Sequence, residues 1–168
     1  MDAVNELPVG TRALVVTASN RAAAGVYEDR SGQVLAAGLA ELGFDVEGPK
    51  VLPDDAVEIE DVLRAAVDAR IDVVLTTGGT GLSPTDVTPE ATRRVLEREA
   101  PGIAEAVRRY GAEHGVPTAV LSRGLAGTAG RTLIVNLPGS TGGVKDALAV
   151  LGPLLPHVVS QLRGGDHV

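Results

Sequence analysis

The fold is decided by residues 76–90, which read TTGGTGLSPTDVTPE. A short apolar run at 71–75, IDVVL, precedes them, and its β-branched residues predict a buried strand. A helical pattern at 91–97 follows, with Thr88 as its expected cap and Pro89 in its first turn. A strand, a glycine loop and the start of a helix therefore follow one another, which is typical of an open α/β sheet.

The glycine loop has the composition of a phosphate site. Glycines lack a Cβ, so backbone N–H groups can approach an anion closely, and a helix N-terminus adds partial positive charge. Asp86 would lie beside that anion, where its carboxylate is repelled unless a cation bridges the two charges. We interpret the loop as a phosphate site with Asp86 on a divalent metal. The alternative is a tight turn in which Asp86 caps the helix.

Composition and charge restrict the possible functions. The chain has 168 residues, 44% of them hydrophobic, which is enough for one domain with a single core and argues against disorder. Aromatic residues make up 2% and the formal net charge is −7, which argue against binding of nucleic acid or anionic membranes. The absence of cysteine excludes disulfides and thiolate catalysis. With no signal peptide or bilayer-spanning run visible, we expect a soluble cytoplasmic protein.

Strand and helix patterns alternate along the chain. Strands are predicted at 12–18, at 44–47 with a continuation toward 51–52, at 71–75 and at 132–136. Helices are predicted from a cap at Ser31 to Leu42, at 59–67 after a turn and cap at 53–55, at 91–97, at 103–110, and from about Val144 to Leu162 with a bend at two prolines. Loops are predicted at 22–31 and 124–130. The alternation predicts an α/β fold with a mainly parallel sheet covered on both faces, in one domain (1–168) with loose ends at 1–10 and 164–168.

A second glycine loop, 137–143 (LPGSTGG), follows the strand predicted at 132–136. Carboxyl ends of parallel strands meet at one edge of a sheet, so both glycine loops should open there and could grip two parts of one ligand. Ser19 follows the first strand at the same edge. The alternative for the second loop is an ordinary strand exit with Ser140 as a helix cap.

Several segments resemble one known family. TTGGTG at 76–81, followed by DVTPEAT at 86–92, resembles the signature of the MogA and MoaB proteins of molybdenum cofactor biosynthesis and of the gephyrin G domain. Further segments resemble the family in family order: EDRSG at 28–32, LPDD at 52–55, EREAPG at 97–102, LSR at 121–123, NLPGS at 136–140 and LLPH at 154–157. The resemblance covers nearly the entire chain, which is too much for a chance match to one motif.

The resemblance implies a fold, an assembly and an activity. The fold would be a three-layer α/β/α sandwich, the molybdopterin-binding fold, and the assembly a homotrimer or a higher multiple that could contact other molybdenum cofactor enzymes. The activity would be that of a molybdopterin adenylyltransferase, which joins AMP from Mg-ATP to the terminal phosphate of molybdopterin and releases pyrophosphate. Mg²⁺ would be the cofactor, and ATP and molybdopterin the substrates.

The resemblance also implies roles for particular residues. Asp54 and Asp86 match the two functional acidic positions of the family and are expected to be catalytic and to hold the metal. The residues expected to line the nucleotide site are Thr77, Gly78, Gly79, Thr80, Gly81, Asn136, Pro138, Gly139 and Ser140. Those expected on the molybdopterin side are Ser19, Ser122 and Arg123.

The residue types suit this chemistry. A substrate phosphate is already a nucleophile, so no serine, cysteine or histidine of the protein is needed, and catalysis would consist of positioning and charge neutralisation. Mg²⁺ prefers oxygen ligands and keeps several waters, so one or two carboxylates with phosphate oxygens suffice. Asp54 and Asp86 each lie in a turn after a predicted strand, and such turns can converge on one ion. The alternative is that Asp54 and Asp55 only cap a helix.

Two positions depart from the family pattern. Thr85 stands where the family usually has an arginine directly before the aspartate, and Asn20 stands where an aspartate is common. An arginine near phosphates supplies a forked, permanent charge that threonine cannot replace. A related protein that binds molybdopterin without turnover, to store or deliver it, is therefore the alternative to the enzyme. A scaffolding role, as seen where this domain is joined to others, has no direct support in the chain.

Overall fold

The computed structural model describes residues 6–165 and contains one six-stranded sheet. The strands are β1 (Arg12–Ala18), β2 (Asp45–Leu52), β3 (Val73–Thr77), β4 (Arg98–Glu99), β5 (Ala126–Ala129) and β6 (Thr132–Leu137), in the spatial order β2-β1-β3-β6-β5-β4. Neighbouring strands among β2, β1, β3 and β6 are parallel, and β5 and β4 are added antiparallel at one edge. The prediction of a mainly parallel sheet is confirmed.

Helices cover both faces of this sheet. They are α1 (Asn20–Ala23), α2 (Arg30–Glu41), α3 (Ala56–Asp68), α4 (Thr88–Val95), α5 (Pro101–Glu113), α6 (Thr141–Leu151) and α7 (Leu155–Leu162), with a 3₁₀ helix at Pro117–Leu121. One apolar cluster joins alternate strand residues to α2, α5, α6 and α7, and a second joins the intervening strand residues to α3 and α4. Along β1, for example, Val15 lies in the first cluster and Val16 in the second, because successive side chains point to opposite faces. The three-layer α/β/α sandwich is confirmed.

The parallel strands bring three chain segments to one edge of the sheet. Thr17 pairs with Thr77, and Thr77 pairs with Leu137, so β1, β3 and β6 end side by side. The residues that follow these strands are Ser19, the first glycine loop and the second glycine loop. Both loops therefore open at the same edge, as predicted.

Several predicted boundaries differ from the structure. The segment 124–130 was predicted as a loop because its residues are small, but it contains β5, where Gly127 lies so close to the Arg98 carbonyl that a Cβ would clash. The segment 22–31 was also predicted as a loop, but it includes the end of α1. After the second glycine loop, one bent helix was predicted, whereas the structure has two separate helices, α6 and α7. The two-residue strand β4 has no pattern that a sequence can show.

Helix caps are confirmed at two positions and displaced at two. Asp55 caps α3 and Ser140 caps α6 through hydrogen bonds from backbone N–H groups. The cap of α2 is Asp29 and not Ser31, which is buried inside the helix. Thr88 is the first residue of α4 and not its cap, since Val87 occupies the cap position. The Thr88 hydroxyl instead donates to the Gly78 carbonyl at 3.0 Å.

Two further observations concern the chain ends and membranes. Within the predicted loose end 1–10, Leu7 packs against the first apolar cluster, while residues 1–5 and 166–168 lie outside the described residues. Across residues 6–165, no helix is long and apolar enough to cross a membrane.

Candidate active site

Both glycine loops line one cavity of about 390 Å³. The first loop contributes Gly78, Gly79, Thr80 and Gly81, and the second contributes Pro138, Gly139 and Ser140. Asp86, Ser122 and Asn136 also line it. The structure therefore brings most of the predicted nucleotide residues to a single cavity at the carboxyl edge of β3 and β6.

The two glycine loops lie against each other at Gly78 and Gly139. A Cβ on Gly139 would lie 3.4 Å from Gly78 Cα. Gly78 itself has φ = 91°, and a Cβ there would clash with the Ala18 carbonyl oxygen. Only glycine fits this position, because of both the positive φ and the close carbonyl.

Two predicted nucleotide residues hold the loops in place with their side chains. Thr77 is fully buried, and its hydroxyl donates to the Pro138 carbonyl at 2.6 Å, which links the end of β3 to the second loop. The Asn136 amide donates to the hydroxyls of Thr76 and Thr92 and accepts from the Leu125 N–H. Their polar groups are thus engaged within the protein, and a direct contact with a nucleotide stays a prediction.

Asp86 lies at the end of the loop 81–86 and lines the cavity. Its Oδ2 accepts from the Ser83 N–H at 3.1 Å, and its own N–H donates to the Ser83 carbonyl at 2.9 Å. The cap position of α4 is occupied by Val87, which makes no side-chain cap hydrogen bond. The alternative in which Asp86 caps the helix is therefore wrong, and its carboxylate closes a turn beside the cavity.

Asp54 is held by a reciprocal pair of hydrogen bonds with Asn20. The Asp54 N–H donates to Asn20 Oδ1 at 2.8 Å, and Asp54 Oδ2 accepts from the Asn20 N–H at 3.2 Å. Asp54 Oδ1 is buried and has no hydrogen-bond partner among the described residues. A Cβ on Gly79 would lie 3.2 Å from this oxygen, so Asp54 Oδ1 faces the first glycine loop.

The surroundings of Asp54 alter the acidity of its carboxyl group. Burial raises the pKa of the Asp54 carboxyl, the Asn20 N–H lowers it, and the negative charge of Asp86 raises it. Both carboxylates lie against the first glycine loop, since a Cβ on Gly79 would lie 3.2 Å from Asp54 Oδ1 and a Cβ on Gly81 would lie 2.9 Å from Asp86 Oδ2. Their convergence on one ion stays a prediction.

The donor set fits a divalent cation that arrives with phosphate. Asp54 Oδ1, a buried carboxylate oxygen with no partner among residues 6–165, and the Asp86 carboxylate both lie against the first glycine loop. Such oxygens suit Mg²⁺, which needs oxygen ligands and usually completes its shell with water and substrate phosphates. Within residues 6–165, no group of three or more His, Cys, Asp or Glu side chains could hold a metal alone. The remaining ligands would therefore come from the substrate and from water.

The charges of the cavity lining support the same conclusion. Asp86 and Asp146 are carboxylates, whereas Arg108 is the one cation among the described lining residues. The Arg108 guanidinium donates to the carbonyls of Ser122 and Gly124 at 3.2 and 2.9 Å. A polyanion bound here would need additional positive charge, which a divalent cation supplies.

Comparison with known proteins gives the family. A family model described as a probable molybdopterin binding domain matches residues 14–157. The chain belongs to this family. The resemblance to the MogA and MoaB proteins is confirmed by solved structures: one described as MogA is 51% identical with a TM-score of 0.86, covering 90% of this chain and 99% of that one. MoaB from Thermus thermophilus is 43% identical with a TM-score of 0.84, covering 92% and 97%.

Curated relatives belong to molybdenum cofactor biosynthesis. A molybdopterin adenylyltransferase from Helicobacter pylori (strain J99) is 38% identical over 156 residues, covering 89% of this chain and 86% of the relative. A molybdenum cofactor biosynthesis bifunctional protein from Chlorobaculum tepidum is also 38% identical over 156 residues. That match covers 93% of this chain, which spans 50% of the bifunctional protein.

In this MogA/MoaB family member, the three predicted molybdopterin residues have different surroundings. Ser122 lines the main cavity. Ser19 caps α1 and lines an adjoining cavity of about 120 Å³, of which Gly78 and Gly139 are shared walls. The Arg123 side chain is directed onto the loop 81–86. None of the three contacts with molybdopterin is tested by this geometry, and they stay predictions.

Sequence reasoning missed the apolar end of the cavity. It is lined by Val107 of α5 and by Val116, Ala119 and Leu121 in and before the 3₁₀ helix. Gly111 allows α5 to approach the 3₁₀ helix, since a Cβ there would lie 2.8 Å from the Ala119 Cβ. A glycine inside a helical pattern was the available signal of such an approach.

Proposed function

We propose that the protein is a molybdopterin adenylyltransferase that uses Mg-ATP. One observation carries the proposal: both glycine loops and Asp86 line one cavity, and Asp54, which is not itself a lining residue, directs against Gly79 of that lining a buried oxygen without a partner among the described residues. The similarity to the Helicobacter pylori molybdopterin adenylyltransferase supports it.

The residues present are suited to nucleotidyl transfer. An oxygen of the terminal molybdopterin phosphate would attack the α-phosphorus of ATP, and the bond from that phosphorus to the bridging oxygen would break, with pyrophosphate leaving with the electron pair. The backbone N–H groups of the glycine loops would bind and orient the phosphates. Asp54 and Asp86 would hold Mg²⁺, which supplies charge neutralisation in the transition state. The apolar end of the cavity offers a surface for a flat heterocycle.

The test is a direct assay. The purified protein is incubated with molybdopterin and Mg-ATP, and adenylylated molybdopterin and pyrophosphate are measured by mass spectrometry and an enzymatic pyrophosphate assay. We expect equal amounts of both products, and no pyrophosphate when molybdopterin is omitted. Correctly folded protein that forms neither product would show that the proposal is wrong.

A second candidate function is binding of molybdopterin without turnover. It is favoured by Thr85, which is exposed and whose hydroxyl lies 3.1 Å from the Ser83 hydroxyl, so the loop carries no cation at the position where the family usually has arginine. Molybdopterin binding without ATP consumption would support this candidate. Thr85→Arg should then raise adenylylation, if the missing charge is the cause.

We further propose that the protein acts in the cytoplasm as a homotrimer or a higher multiple, in contact with other molybdenum cofactor enzymes. The family membership supports this proposal. Light scattering after size-exclusion chromatography should give three times the chain mass of 17.1 kDa, or a multiple of that value. A monomer at micromolar concentration would contradict it.

A further inference from the structure

The loop 81–86 carries Asp86 but has few bonds of its own. Leu82, Ser83, Pro84 and Thr85 are all exposed, and Leu82 has 67% of its surface accessible. The hydrogen bonds inside the loop join Ser83 to Thr85 and to Asp86. An exposed segment with few contacts opens at low free-energy cost, so the position of Asp86 depends on what holds the loop from outside.

Arg123 contacts both ends of this loop. Its Nε donates to the Gly81 carbonyl at 2.8 Å, and its Nη2 donates to the Asp86 carbonyl at 2.9 Å. Its backbone N–H donates to the Thr80 carbonyl at 2.8 Å, which attaches the same residue to the first glycine loop. One side chain thus joins the beginning and the end of the loop to the segment before β5.

Glu90 holds the guanidinium in this position. Arg123 Nη1 donates to both carboxylate oxygens of Glu90, at 3.1 and 2.8 Å. Glu90 lies in the first turn of α4, which begins directly after the loop. Hydrogen bonds between charged partners are stronger than neutral ones, so the pair fixes the direction of the two donors that face the loop.

We infer that Arg123, oriented by Glu90, is a positioning residue that fixes the loop 81–86 and with it the Asp86 carboxylate at the cavity. Its guanidinium makes three sets of hydrogen bonds in different directions, to Gly81, Asp86 and Glu90. A lysine ammonium could not reproduce this planar fork. The consequence for catalysis rests on the proposed function, whereas the consequence for the loop does not.

The experiment compares Arg123→Lys and Glu90→Gln with matched controls elsewhere on α3 and α4. The controls are Arg94→Lys and Glu60→Gln, which alter an ion pair of the same kind that does not touch the loop. Hydrogen–deuterium exchange of a peptide covering residues 80–87 reports the loop directly. We expect it to exchange roughly tenfold faster in Arg123→Lys, less so in Glu90→Gln, and at the parental rate in both controls.

Kinetics separate positioning from substrate contact. Because Arg123→Lys loosens Asp86 without removing its charge, it should lower kcat by about tenfold while the KM for molybdopterin stays nearly constant. Unchanged loop exchange in Arg123→Lys would overturn the inference, and a raised molybdopterin KM would then assign Arg123 to substrate binding. Faster loop exchange in Arg123→Lys, with a parent protein that shows no adenylylation activity, would leave the inference standing and remove the proposed function instead.

Discussion

The two turns that carry the proposed catalytic carboxylates hold the same residue type in different ways. Asp54 lies in a short turn between β2 and α3, where Asn20 fixes it and one oxygen is buried without a partner among the described residues. Asp86 lies in an exposed loop, and its position depends on Ser83 and on Arg123. The position of Asp54 is thus fixed by burial and by its contact with Asn20. The position of Asp86 depends on Ser83, on Arg123 and, through Arg123, on Glu90.

The largest effect is expected when the charge of Asp86 is removed. Asp86→Asn keeps the size of the side chain and an oxygen for the Ser83 N–H, so the melting temperature should change little. Loss of a metal-binding charge should lower turnover by about 100-fold or more. Melting temperature and adenylylation rate are measured for the same preparation, with Asp55→Asn as the control because Asp and Asn are similar helix caps. Parental turnover in Asp86→Asn would remove Asp86 from the site.

Disruption of the Asn20–Asp54 contact should have a smaller effect. Asn20→Ala removes the oxygen that accepts from the Asp54 N–H, so the Asp54 carboxylate loses a positional constraint, and we expect roughly tenfold slower turnover. Asn20→Asp keeps an acceptor oxygen at that position and should restore most of the rate at saturating Mg²⁺. The readout is kcat as a function of Mg²⁺ concentration. Equal losses in both variants would show that the amide, and not the acceptor oxygen, matters.

The sequence predicted the parts of the fold and site that depend on local patterns. The β-branched runs of β1, β3 and β6 and the glycines after two of them were sufficient to predict a shared edge. β5 was missed because Ala126–Ala129 are small residues with no alternation, and that strand exists only through its pairing with its neighbours in the sheet. Long-range pairing of this kind leaves no local signal.

The sequence alone could not assign different roles to two adjacent polar residues, or identify the partner of a residue that is distant in the chain. Asp54 and Asp55 are adjacent, and either can cap a helix by its residue type, so only the structure shows that Asp55 caps α3 and Asp54 faces Gly79. Arg123 was predicted on the molybdopterin side, which stays a prediction, and its contact with Glu90, which lies far away in the chain, could not be read from the sequence. Such partners become apparent only in three dimensions.

Substitution of Asp55 should affect stability and not turnover, which distinguishes its capping role from the proposed catalytic role of Asp54. Asp55→Ala removes the acceptor for the N–H groups of Val57 and Glu58, which should cost about 1 kcal/mol of stability. For a chain of this size, that corresponds to a melting temperature lower by roughly 2–4 °C. Turnover measured well below the transition should equal that of the parent. A large loss of turnover without a loss of stability would mean that Asp55 and not Asp54 serves the site.

The smallest effect concerns the pH dependence of stability in metal-free protein. Burial raises the pKa of Asp54 from 3.8, so in the window above 3.8 the folded state binds more protons than the unfolded state. Stability contributed by this group therefore falls as pH rises through the window, and Asp54→Asn removes that penalty. The melting temperature of Asp54→Asn relative to the parent should rise from about pH 4 to about pH 7 in EDTA, and the rise should shrink with Mg²⁺ and ATP, whose bound cation compensates the charge. A difference that is independent of pH would show that the Asp54 carboxylate is well solvated. Asp54 and Asp86 would then not differ in the burial of their carboxylates.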